Sequence, residues 1–274
     1  MKHNRLILLA VFLVSISLIG CSAKSQIATT PFTPKKFAAD QYTPKVDNFM
    51  VLFDASFSMR WKYKGLSKFD IAKYFVTYMN QTLPEVGYNG ALRSFGHNSI
   101  VSKNPTELFY GITRYTTAGL GKGLESIKTP GGNTPMTEAI TASTDDLKST
   151  SGSIAIILIS DGEDLGTSYP MAAATAMKKK YGDRVCIYTV LVGDSASGKK
   201  LLDQITKIGK CGFSRDAAEL VNSSDAMADF VEEVFLTKKP PMAKAAPKPM
   251  AGPKDSDFDG VPDSLDRCPD TPSW

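Results

Sequence analysis

Asp54-x-Ser56-x-Ser58 places one carboxylate and two hydroxyls at alternate positions just after the apolar run Phe49–Phe53. All three are hard oxygen donors, the kind that Mg2+ and Ca2+ prefer. By itself the stretch reads equally well as a turn capped by Asp54. Two further donors follow: Thr134, in Gly131-Gly132-Asn133-Thr134-Pro135, and Asp161, directly after the apolar run Ser153–Ser160. Two carboxylates and three hydroxyls make an incomplete octahedral shell for Mg2+ or Mn2+. Hydroxyls in place of further carboxylates leave the ion residual positive charge, so it can accept a carboxylate from outside. That chemistry favours recognising an acidic group over catalysing a reaction.

The tail carries a second oxygen-rich spacing. Asp255, Asp257 and Asp259 precede Gly260, with Asp263 and Asp266 at the ninth and twelfth positions. This fits a D-x-D-x-D-G loop for Ca2+, the carbonyl of Val261 serving as the seventh-position ligand. Asp266 replaces the usual Glu with a shorter arm, and Pro262 and Pro269 deny the loop flanking helices.

Strands and helices must alternate to bring such donors together. Apolar runs predict strands at Phe49–Asp54, Tyr88–Phe95, Ser153–Ser160 and Val185–Val192, with a weaker edge strand at Leu108–Tyr115 and a short one at Cys211–Ser214. Helical spacing predicts helices at Lys68–Thr82, Met136–Lys148, about Tyr169–Tyr181, Lys199–Ile208 and Ser224–Leu236. Thr134 stands where an N-cap belongs, with Pro135 at the first helical position. The glycines of Thr117–Ile127 match no phosphate-binding pattern and read as turn and helix-start residues. This is the pattern of an α/β fold, a doubly wound, mostly parallel sheet with helices on both faces. Ligands of such sheets bind beyond the carboxyl ends of the strands.

The remaining segments are not core. MKHNR and the apolar Leu6–Gly20 form a sorting signal over residues 1–20. Residues 21–46 lack periodicity and read as a tether, and the domain spans 47–236. Residues 237–254, rich in Pro, Lys and Ala, form an extended spacer, and 255–274 the acidic tail. The chain of 274 residues has a formal net charge of +4, mild and dispersed, so no nucleic-acid partner is expected.

With these residues in place, several resemblances emerge. Leu18-Ile19-Gly20-Cys21 resembles a bacterial lipobox, which implies cleavage before Cys21, lipidation of that thiol and anchoring in a membrane. Ser22 after the cysteine implies the outer membrane. DASFS, the threonine of GGNTPM and the aspartate of LISDGED together resemble the von Willebrand factor type A domain with its metal-ion-dependent adhesion site. The resemblance implies that Asp54, Ser56 and Ser58 contact the cation directly or through water, that Thr134 adds its hydroxyl and that Asp161 acts through water. It also implies a protein partner that completes the shell with a Glu or Asp. The tail through Arg267-Cys268-Pro269-Asp270 resembles a thrombospondin type 3 repeat. Bacterial chains of this order commonly continue into a peptidoglycan-binding domain, which is absent here, so cell-wall binding is not expected.

Export leaves Cys186, Cys211 and Cys268 in a disulfide-permissive compartment. Cys186 opens one strand and Cys211 the next, with a crossover helix between, so a Cys186–Cys211 bond is expected. Catalysis has little support. One of the two histidines, His3, lies in the signal, and the other, His97, reads as a solvated turn residue. Glu163 and Asp164 read as a solvated loop. The expectation is a non-enzymatic, lipid-anchored envelope protein that binds a partner through a metal. The alternatives are a structural spacer with a vestigial metal site and, more weakly, a metal-dependent hydrolase.

Overall fold

A computed structural model describes residues 26–27, 31–38, 40–163, 169–240, 254–256, 258, 260–265 and 267. The sorting signal 1–20 and Cys21 lie outside the described residues. The chain divides into two compact units, Met1–Thr237 and Lys238–Trp274.

The first unit is built on one six-stranded sheet. Its strands are β1 (Asn48–Asp54), β2 (Asn89–Phe95), β3 (Thr106–Arg114), β4 (Ile154–Ser160), β5 (Val185–Leu191) and β6 (Ser214–Asp216), in the order β3-β2-β1-β4-β5-β6. All pairs are parallel except β2–β3, which puts the antiparallel strand at one edge. β1 and β4 are buried along their whole length, as their unbroken apolar runs require.

Helices α1 (Lys68–Thr82), α2 (Thr117–Ser126), α3 (Met136–Asp146), α4 (Pro170–Tyr181), α5 (Ala196–Ile208), α6 (Ala217–Asn222) and α7 (Ser224–Phe235) cover the sheet. The pleat divides the core in two. Phe49, Val51 and Phe53 pack with α1, α2, α6 and α7 on one face, and Met50 and Leu52 pack with α3, α4 and α5 on the other. The fold is therefore the doubly wound α/β architecture expected from the alternating runs.

Several details differ from the sequence reading. The glycines of 117–127 lie inside α2 rather than at a turn. A Cβ on Gly123 would stand 2.9 Å from the Cβ of Tyr110, so the glycine lets α2 lie directly on β3. The short strand is Ser214–Asp216 rather than Cys211–Ser214, and the six residues of α6 are too few to show a helical period in the sequence. α3 ends at Asp146 and passes into a 3-10 turn over Leu147–Ser149. Cys186 and Cys211 are joined by a disulfide, their Cα atoms 4.9 Å apart.

The segment before β1 is not a free tether. Phe32 stacks on Tyr78 of α1, ring centroids 3.9 Å apart, and Phe37 meets Tyr42 edge-on. Ile27 and Val46 are buried. Sparse aromatic contacts of this kind carry no period, which is why the sequence pattern hides them. Tyr42–Pro44 pairs in a two-stranded ribbon with the chain that leaves α7. Beside it, the Lys45 N–H donates to the Phe235 carbonyl (2.8 Å), and the Tyr88 hydroxyl donates to the same oxygen (3.0 Å).

In the second unit, Asp255 accepts backbone N–H groups from Phe258 (2.8 Å) and Gly260 (3.0 Å). Asp263 accepts from the Ser256 N–H (2.7 Å) and hydroxyl (2.8 Å). Gly260 takes a φ of +90°, a left-handed conformation that glycine adopts without steric cost. Asp257, Asp259, Asp266 and Cys268 lie outside the described residues.

Candidate metal centre

The strand order reverses direction between β1 and β4, and the crevice at that switch is where doubly wound sheets bind ligands. Asp54 closes β1 and Asp161 follows β4 at this point, and both are fully buried. The Asp54 carboxylate accepts the Ser56 N–H (2.8 Å) on one oxygen and the Ser160 hydroxyl (2.5 Å) on the other. Ser56 Oγ lies 3.2 Å from Ser58 Oγ.

Backbone bonds bring the distant loop in. Phe57 N–H donates to the Gly132 carbonyl (2.8 Å), Gly131 N–H to the Ala55 carbonyl (2.9 Å) and Gly132 N–H to the Gly96 carbonyl (2.6 Å). This lacing sets Thr134 beside the serine loop. Thr134 does not cap α3. Pro135 occupies that position without a side-chain cap, and the Thr134 hydroxyl donates instead to the Glu163 carbonyl at 3.1 Å. The threonine thus ties the loop of Asp161 to that of the serines.

Asp161 accepts the Glu163 N–H (3.0 Å) on one oxygen and the Lys68 ammonium (2.9 Å) on the other. The same ammonium reaches Glu163 Oε1 at 2.9 Å, so Glu163 belongs to the site rather than to a solvated loop. Asp164 lies outside the described residues. Lys68 and Ser160 are the residues that sequence reasoning missed. Lys68 had a signal: it occupies the apolar stripe of α1, three, four and seven residues before Ile71, Ala72 and Phe75.

The electrostatics follow from burial. Burial foremost, then the charge of Asp161, push the Asp54 carboxyl up to about 7, against the opposing hydrogen bonds from Ser160 and Ser56. Burial also pulls Lys68 down, but the hydrogen bonds and charges of Asp161 and Glu163 outweigh it, and its pKa stands above the ordinary value. Among the described residues no three His, Cys, Asp or Glu side chains cluster as metal ligands, so any ion here would depend on the hydroxyls.

The rim is unusually apolar. Phe57, between the two serines, is 50% exposed and Trp61 is 59% exposed. Their rings meet edge-on at 6.1 Å, and the Arg60 guanidinium lies over the Phe57 ring. A cavity of about 640 Å3 opens on the Thr134 side, lined by Gly96, His97, Asn133 and Glu138 among others. His97 is buried rather than a solvated turn residue. Its Nδ1 lies 3.2 Å from the Ser94 hydroxyl and its ring packs edge-on against Phe109, and burial holds its pKa below the ordinary value.

No family model matches the chain. Its architecture is a Rossmann-like, doubly wound α/β fold, with Asp54 and Asp161 at the sheet's switch point and Ser56, Ser58 and Thr134 in the loops beside them. The chain is 30% identical over 168 residues to the uncharacterized protein YwmD of Bacillus subtilis (strain 168), covering 58% of this chain and 73% of YwmD, and it belongs to the YwmD family. The pilus adhesin SpaC from Lactobacillus rhamnosus GG shares the fold with a TM-score of 0.54 at 13% identity, covering 71% of this chain. A von Willebrand factor type A structure from Catenulispora acidiphila aligns with a TM-score of 0.47 at 15% identity over 70% of this chain. The chain spans 31% of SpaC and 45% of the Catenulispora protein.

Proposed function

We propose that the protein is a non-enzymatic binding protein whose type A domain holds a divalent ion, Mg2+ or Mn2+, and uses it to grip a Glu or Asp carboxylate on a protein partner. The observation that carries this reading is the convergence of Asp54, Ser56 and Ser58 with Thr134 and Asp161 beyond the carboxyl ends of the two central strands. The donor set fits such an ion. Burial foremost, then the charge of Asp161, raise the proton affinity of Asp54, and that raised pKa is the mark of a buried anionic position that favours a positive charge. When bound, the ion supplies a Lewis-acidic position for an oxygen from outside. Asp54, Ser56, Ser58 and Thr134 would hold it, and Asp161, already hydrogen-bonded on both oxygens, would act through water.

The rim supports a protein as partner. Exposed Trp, Phe and Arg beside a charged centre are the side chains that dominate protein interfaces. Around this domain we place a lipid anchor at Cys21 in the bacterial outer membrane and a Ca2+ loop in the tail, with Asp255, Asp257, Asp259, Val261, Asp263 and Asp266 as its ligands. Among the described residues no helix is long and apolar enough to cross a membrane.

One observation favours the second reading, a spacer with a vestigial site: the Lys68 ammonium already neutralises Asp161. Calorimetric titration with MgCl2 and MnCl2 separates the two. Saturable binding by the protein, lost in Asp54→Ala, supports the first reading, and no heat at millimolar metal refutes it. Partner capture from envelope extract, compared in Mg2+ and in chelator, then tests the carboxylate grip. Replacing Phe57 and Trp61 together by Ser should weaken capture at least tenfold while leaving the metal titration unchanged.

A further inference from the structure

Lys68 is a costly residue where it stands. It is 6% exposed, it lies on the apolar stripe of α1, and it is the first residue after the Ser67 cap, where the helix dipole disfavours a cation. A chain selected for stability alone would place an apolar side chain there, since buried ion pairs are often replaceable by apolar residues at no loss. Its stem threads past Gly193, where a Cβ would meet Lys68 Cε at 3.0 Å, so the neighbouring loop leaves room for it. Among the described residues its ammonium meets two carboxylates, at 2.9 Å each, both of the metal centre's own loop, Asp161 and Glu163.

We infer that Lys68 is a built-in cation of the metal centre, holding Asp161 in the metal-free protein so that the fold does not depend on metal, and keeping the centre's metal affinity low. This rests on the reading of the centre as a divalent-ion site.

The physical consequence has two halves. Without metal, the single Lys68 charge offsets that of the buried Asp161 and is shared with the half-exposed Glu163, so the metal-free fold tolerates a buried carboxylate at the switch point. With metal, the ammonium repels the incoming ion and lowers the net negative charge that attracts it. The ion then retains more of its positive charge for a carboxylate from outside. Metal and partner carboxylate are thereby coupled, each raising the affinity of the other. Lys68 acts through Asp161 and does not itself reach a partner, because its side chain is 8% exposed. It is a positioning and tuning residue.

The test compares wild type with Lys68→Met in the full chain, with two readouts: the Kd for Mg2+ and for Mn2+ by calorimetry, and the unfolding temperature in EDTA and in excess Mg2+. Removing a unit positive charge several ångströms from a divalent ion should tighten its binding by roughly tenfold or more. The variant should also melt lower than wild type in EDTA and recover most of the loss in Mg2+, whereas wild type should shift little. A merely structural lysine would give weaker metal binding on removal, or none, and that result overturns the inference while leaving the metal reading intact. Absence of binding by wild type and variant alike overturns both. Should Lys68→Met fail to fold, Lys68→Gln keeps an amide donor toward Asp161 without the charge, and the same tightening is expected of it.

Discussion

Replacing Asp54 by Asn removes one charge and almost nothing else. The amide oxygen can still accept the Ser56 N–H, and the amide nitrogen can donate to the Ser160 hydroxyl, which also accepts the Gly162 N–H at 2.9 Å. In the metal-free protein burial and Asp161 raise the Asp54 carboxyl from 3.8 to about 7. The folded state therefore binds the proton more tightly than the unfolded chain does, and wild type loses stability as pH rises between those two values. At pH 4 the carboxyl is protonated in the folded state and only partly ionised in the unfolded one, so wild type and Asp54→Asn should differ by less than about 1 kcal/mol. Above pH 7 it is ionised in both, and the gap of roughly three pKa units makes the variant more stable by about 4 kcal/mol. For a domain of this size that is a rise in unfolding temperature of roughly 10 °C. Urea unfolding in EDTA from pH 4 to pH 8 measures the difference directly. Addition of Mg2+ at pH 8 should narrow the difference a little, because the ion stabilises wild type weakly and leaves the variant unmoved. Parallel pH profiles for the two proteins would refute the assignment of Asp54 as a buried, charge-strained ligand.

Two predictions concern the scaffold. Replacing Cys186 and Cys211 together by Ser opens a crosslink between residues 25 apart in sequence and should cost about 3 kcal/mol, read as a fall in unfolding temperature of roughly 6–12 °C. An unchanged midpoint would mean that the bond closes nothing the native packing does not already hold. Gly123→Ala should destabilise by about 1–2 kcal/mol despite alanine's better helix propensity, because its Cβ meets Tyr110 at 2.9 Å and the Phe109 carbonyl at 3.2 Å. A gain in denaturant midpoint would show that α2 can lift off β3 freely.

What the sequence discloses depends on whether a residue's role is written in its neighbours. The strands β1 and β4 are legible because burial on both faces demands an unbroken apolar run, and Asp54 and Asp161 are legible because each ends such a run. Thr134 is half legible. Its place before a proline suggests a cap, but the hydroxyl serves a carbonyl from a loop 29 residues away, a partner no local pattern names. Lys68 is the instructive miss. A lysine at a helix start reads as solvated, and only its place on the apolar stripe, read against Ile71, Ala72 and Phe75, shows that its ammonium must find acids inside. His97 fails for the reverse reason: its loop composition is polar, yet Phe109 and Ser94 from the paired strands enclose it.

The ribbon that joins the incoming Tyr42–Pro44 to the chain leaving α7 bears on how the domain transmits tension. The polypeptide enters and leaves side by side at the amino end of the sheet, clasped by the Lys45–Phe235 and Tyr88–Phe235 bonds. The seven residues of β1 put Asp54 roughly 20 Å beyond that clasp. A pull between the segments on either side of the domain runs through the clasp and bypasses the parallel strands. The face that carries the oxygen donors is thus mechanically isolated, and it can keep its geometry while the chain on either side is under strain.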